Sequence, residues 1–133
     1  MFQERSEFRA LLMNGMVRLK VALAASPGNT AQILEALRFL MVGTRLEEGC
    51  LGCTAWSDQN STVQYLEEWA SEADMRQRVR SDAFTSLLAV MEAAKEPPQV
   101  QFDFITTTRG LDYVAEVREP QGTGNSELLN SPL

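Results

Sequence analysis

The run from Leu46 to Phe84, LEEGCLGCTAWSDQNSTVQYLEEWASEADMRQRVRSDAF, constrains the fold most, because two strand-forming stretches lead through a turn straight into a capped helix. Residues 52–57 and 62–69 are rich in Thr, Val, Trp and Tyr, and the polar cluster from Ser57 to Ser61 separates them, so they pair as a hairpin. Ser71 and Asp74 have capping-box spacing and start a helix. Along it, Glu72 with Arg76 and Asp74 with Arg78 are favourable i,i+4 ion pairs. Ser81 and Asp82 then break and recap the chain, and Phe84, Leu87, Leu88 and Met91 form an apolar stripe that Pro97 and Pro98 terminate.

The flanking segments complete a pattern. Val17, Leu19, Val21 and Leu23 alternate with Arg18 and Lys20, the signature of a strand with one apolar face. After the turn at Pro27 and Gly28, Asn29 and Gln32 have capping-box spacing, and Ile33, Leu34, Leu37, Leu40 and Met41 recur with helical period. Val100, Phe102, Phe104 and Thr106 alternate as a last core strand, and Leu111 to Val117 is expected to add one more. The order βαββαβ predicts an α+β, ferredoxin-like antiparallel sheet with helices on one face. Its first strand lies between the third and fourth, which places Lys20 near Glu68 on one side and Asp103 on the other.

Residues 16–118 form the expected domain. Phe2, Phe8, Leu11 and Leu12 suggest a short helix over 3–13 within an N-terminal extension, residues 1–15, and residues 119–133 read as a mobile tail. Because helices cover one sheet face only, the other, with Leu66, Ile105 and paired charges, is expected to form a homodimer interface.

Charge and composition narrow the function. Twelve Lys and Arg against 18 Asp and Glu give a net charge of -6, which argues against a nucleic-acid partner. The start lacks the unbroken apolar core of a signal peptide and no window is long enough to span a bilayer, so no membrane partner and a cytoplasmic location are expected. With 0 histidines, the commonest general base and metal ligand is absent. The two cysteines, Cys50 and Cys53, have CxxC spacing but lie between a helix and a strand rather than at a helix start, and no second ligand pair completes a zinc site. They read as buried or turn thiols, with no metal and no cofactor expected.

Several residues together resemble the antibiotic biosynthesis monooxygenase (ABM) superfamily of dimeric α+β barrel proteins, which includes quinol monooxygenases and haem-degrading enzymes. The likeness runs over about residues 16–106 and is carried by Pro27-Gly28, Glu48-Gly49-Cys50-Leu51, Glu68 and Trp69, Ser71-Glu72, and Ser81 with Phe84. Family members often have histidines where this chain has Arg78 and Ala83. The haem-degrading branch would place its axial histidine at Leu88 and its asparagine at about Val21, so only its tryptophan, Trp69, is kept.

The resemblance implies cofactor-free oxygenation of a small electron-rich aromatic such as a hydroquinone. That chemistry needs a dry apolar pocket and a means of stabilising the substrate anion. Trp69 could wall the pocket, with Phe84 and Leu88 opposite, or simply pack the core. Arg78 could clamp a phenolate, or pair with Asp74 on the surface. Proton removal would fall to Glu67, Tyr65 or water, and Tyr65, Glu67 and Trp69 share one strand face by alternation. The alternative function is a noncatalytic small-molecule-binding or interaction module on the same scaffold.

Overall fold

The computed structural model describes residues 15–58 and 61–120; the expected helix over 3–13 and most of the C-terminal tail lie outside them. Strand β1 (Met16–Ala24) is followed by α1 (Thr30–Thr44), the hairpin β2 (Cys50–Ser57) and β3 (Thr62–Trp69), then α2 (Glu72–Arg80), α3 (Asp82–Glu92), β4 (Gln99–Ile105) and α4 (Leu111–Arg118). The sheet is antiparallel with strand order β2-β3-β1-β4, the expected ferredoxin-like arrangement.

The alternation in β1 decides which face is covered. Val17, Leu19, Val21 and Leu23 are buried and pair with Trp69, Glu67, Tyr65 and Val63 of β3, so all eight point towards the helices. Ile33, Leu34, Leu37 and Met41 of α1 and Phe84, Leu87 and Met91 of α3 close over them. On the uncovered face the ion pairs are Arg18 with Glu68 at 2.8 Å and Lys20 with Asp103 at 3.6 Å. Lys20 thus meets Asp103 as expected but not Glu68, because the register sets Arg18 opposite Glu68 and Lys20 opposite Leu66.

The caps differ. Ser71 and Ser81 both accept a backbone N–H three residues on, from Asp74 and Phe84, and so start α2 and α3 as expected. Asn29 precedes α1 but makes no side-chain cap bond, since its backbone is already in the right-handed helical region rather than the extended conformation a cap requires.

Three further expectations are corrected. Val100, Phe102 and Phe104 of β4 are exposed rather than core, because β4 is an edge strand. Leu111 to Val117 is helical: Leu111, Val114 and Val117 are spaced for one helix side, and Arg109 bridges Asp112 and Glu116 at 3.1 and 2.7 Å, a pairing that suits a helix. Asp74 does not pair with Arg78. Its carboxylate accepts the Ser71 hydroxyl at 3.0 Å and lies over Gly49, whose φ of +88° and lack of a side chain make that approach feasible; a Cβ there would fall 2.3 Å from Asp74 Cγ. Arg78 is released to turn inward.

Candidate functional site

Alternation along β3 places Tyr65, Glu67 and Trp69 side by side under α2, and Arg78, on the inner side of α2, meets them. The Glu67 carboxylate accepts Tyr65 Oη–H at 2.5 Å, Trp69 Nε1–H at 2.8 Å and Arg78 through Nε at 3.2 Å and Nη2 at 2.7 Å. Cys53 Sγ donates to Tyr65 Oη at 3.3 Å. The remaining Arg78 nitrogen, Nη1, reaches Glu47 Oε2 at 3.2 Å, and the guanidinium lies 5.4 Å from the centroid of the Phe84 ring. Among the described residues no buried side-chain nitrogen or oxygen lacks a partner.

Burial sets the chemistry of this network. Burial alone would depress the Arg78 pKa, but the hydrogen bonds and charge of Glu67 more than offset it, and the guanidinium is held cationic above its ordinary value. Tyr65 is pushed far up, first by burial and then by the Glu67 charge, so its hydroxyl remains a donor and is no base near neutrality. Burial raises the Cys50 thiol and pushes Cys53 up to about 11, the opposite of what a redox CxxC pair needs. Among the described residues no three His, Cys, Asp or Glu side chains gather as a metal site.

Glu47 is where the network meets solvent, with 32% of its side chain exposed against 0% for Glu67 and 1% for Arg78. It borders two cavities. One is an apolar groove of about 470 Å³ between α1 and α3, lined by Phe39, Leu40, Val42, Gly43, Thr44, Ala83 and Ser86 as well as Glu47. The other is a crevice of about 190 Å³ bordered by Glu48, Trp69, Asp74, Gln77, Arg78 and Ser81. The groove lies in the range of small-molecule sites; the crevice is smaller than that.

A family model described as antibiotic biosynthesis monooxygenase matches residues 16–89, more than half of the chain. The chain belongs to this family. Among solved structures, a conserved protein from Methanosarcina mazei Go1 superimposes with a TM-score of 0.62 at 21% identity, covering 73% of this chain and 96% of that one. A candidate antibiotic biosynthesis monooxygenase from Deinococcus radiodurans gives a TM-score of 0.64 at 18% identity, covering 71% and 96%. These likenesses establish the fold. No curated protein gives a significant sequence match.

Measured against the ABM expectations, Arg78, Glu67 and Tyr65 are brought together, with Trp69 and Phe84 adjoining them. Arg78 is not the exposed surface partner that helical spacing allowed; its side chain is sealed by Glu67, Glu47 and Phe84. Leu88 stands apart, 44% exposed and outside the buried cluster, while its neighbour Leu87 fills the core position. The residues do not fit the haem-degrading pattern, since Leu88 offers no ligand atom and Val21 is packed in the core. Trp69 is buried in the core cluster and borders the crevice, whereas the apolar groove is formed by the helices.

Glu47 is absent from the residues expected from sequence. A signal exists in retrospect: its backbone N–H donates to Thr44 O just beyond the end of α1, where the helix dipole disfavours a carboxylate. A negative charge in that place calls for a compensating cation, and Arg78 supplies it.

Proposed function

We propose that this protein is a homodimeric, cofactor-independent monooxygenase acting on a small electron-rich hydroxy-aromatic, such as a quinol, held in the groove between α1 and α3. The observation that carries the reading is that Glu47, the one charged residue lining that apolar groove, is also the outer end of the buried Glu67–Arg78 network. The two positions at which ABM relatives often carry histidine converge here, as Arg78 pairs with Glu47 and Ala83 lines the groove.

In this reading Glu47 accepts the substrate's hydroxyl proton, and its neutralisation leaves Arg78 balancing Glu67, so the anion that forms faces no net negative charge. Glu67, Tyr65 and Trp69 act as positioning residues that hold the guanidinium. The apolar walls take up the ring, and the anion that forms gives electrons to dioxygen. A dihydroxyarene and dioxygen yield a hydroxyquinone and water, one oxygen atom going to each product, so the substrate provides all four electrons and no external reductant is required.

Dioxygen uptake with a panel of hydroquinones tests the assignment. Wild type should show enzyme-dependent uptake, and Glu47→Gln should lower kcat about 100-fold, the scale of a lost general base. A second reading, a binding module without turnover, is favoured by the closure of Tyr65 and Glu67 from solvent, which leaves Glu47 as the one acid–base group of the network in reach of a ligand. Binding of a hydroquinone without uptake would select it.

The dimer is assigned to the uncovered sheet face, where Trp56 and Leu66 stand among the Arg18–Glu68 and Lys20–Asp103 pairs. Sedimentation should give twice the 14.8 kDa chain mass, and Leu66→Glu should shift it towards one; a wild-type monomer at micromolar concentration would refute this interface.

A further inference from the structure

We propose that Glu47 sets ligand selectivity, so that the groove between α1 and α3 takes uncharged or cationic ring compounds bearing a hydrogen-bond donor and rejects carboxylated aromatics. The inference rests on the assignment of that groove as the ligand site and specifies which members of the aromatic class can enter it.

Acceptors dominate the polar part of the lining. A carboxylate can only accept, and the Thr44 hydroxyl gives its proton to Leu40 O at 3.0 Å, leaving only lone pairs for a ligand. Ser86 is the one lining side chain able to donate, a neutral hydroxyl against a full negative charge.

Charge reinforces the preference. Arg78 is the cation in contact with Glu47, yet it is spent: Nε and Nη2 lie on Glu67 and Nη1 on Glu47. Counting Glu67, Arg78 and Glu47, the network carries one net negative charge, and its exposed end faces the groove. An anionic ring placed there meets the carboxylate across apolar walls, where screening is weaker than in open water. A ring hydroxyl or ammonium group meets an acceptor already fixed in place, which limits the ordering cost of binding.

Equilibrium binding of 2-naphthol, 2-naphthoate and 2-naphthylmethylamine to the full chain near neutral pH tests this, since the three share one ring system and differ in charge. Wild type should bind naphthol about tenfold more tightly than naphthoate, or more, consistent with a like-charge penalty of ordinary size, with the amine also above naphthoate. In Glu47→Gln the gap between naphthol and naphthoate should close to about threefold or less, through a gain by naphthoate. The wild-type order needs no variant and stands as a test even if the substitution disturbs folding. Naphthoate binding as tightly as naphthol, or a gap that Glu47→Gln leaves unchanged, would overturn the selectivity while leaving the groove as the site. Failure of wild type to bind any of the three would overturn both.

Discussion

Replacing Arg78 by methionine should lower the unfolding free energy by about 3–5 kcal/mol, the cost of leaving a buried carboxylate without its counter-ion. The side chain is 1% exposed, and it supplies Glu67, which is 0% exposed, with a 2.7 Å ion pair and a second contact through Nε. Methionine fills much of the volume but returns no donor. Glu67 would then keep only the neutral donors Tyr65 and Trp69, too few to offset the desolvation of a charge. Adding Glu67→Gln to Arg78→Met should recover a large part of the loss, because the unpaired charge is removed together with its partner. Arg78→Lys should fall between, keeping the charge while losing the fork that spans two carboxylates. Chemical denaturation of the three variants measures all of this. A loss below about 1 kcal/mol for Arg78→Met would be that of an exposed pair and would put the side chain on the surface.

Stability should fall from about pH 9 upward, and the fall should begin with the two thiols, Cys53 contributing more than Cys50. The folded Cys53 thiol is pushed up to about 11 from an ordinary 9.0, chiefly by burial. Below pH 9 both folded and unfolded chains hold the proton, and the thiol contributes no pH dependence. Between pH 9 and 11 the unfolded chain binds fewer protons than the folded one, so unfolding becomes easier as pH rises. Over that window about 2–3 kcal/mol is lost, and above it the folded thiol titrates as well. Tyr65 has the same sign, its folded pKa raised by burial and by Glu67, so its contribution begins near its ordinary value of 10.0 and continues upward. Cys53→Ala should therefore remove most of the fall between about pH 9 and 10, leaving the smaller contribution of the Cys50 thiol, which burial also raises, until the phenol joins. Urea unfolding between pH 8 and 11 reads the effect directly, and a flat profile across that range would mean that neither group is buried in its neutral form.

The framework was legible because its signals are local and periodic. The two-residue period of Val17 to Leu23 gave β1 its buried face, and Ser71 and Ser81 marked helix starts through a bond spanning only three residues. Where one stretch fits two periods, pattern alone is indecisive. Leu111, Tyr113, Ala115 and Val117 satisfy a strand alternation, yet Leu111, Val114 and Val117 satisfy a helix, and the Arg109 bridge to Asp112 and Glu116 accords with the second.

The site was legible in part. Tyr65, Glu67 and Trp69 fell on one face by alternation alone, but the turn of Arg78 into the core depends on Asp74 being occupied over Gly49, a contact between residues 25 apart that no helical spacing reveals. Glu47 was missed for the same reason, since its partner Arg78 lies 31 residues further along. Leu88 was expected at the pocket because it belongs to the apolar stripe of α3, but the buried side of that helix is occupied by Phe84, Leu87 and Met91.

The central claim, that an aromatic ligand sits between α1 and α3 against Glu47, is tested most directly by amide chemical-shift mapping during titration with 2-naphthol. Saturable shifts concentrated at Gly43, Thr44, Glu47, Ala83 and Ser86, with β1 and the uncovered sheet face unchanged, are the predicted result. Saturable shifts confined to the sheet face around Trp56 and Leu66, or none at all, would contradict it.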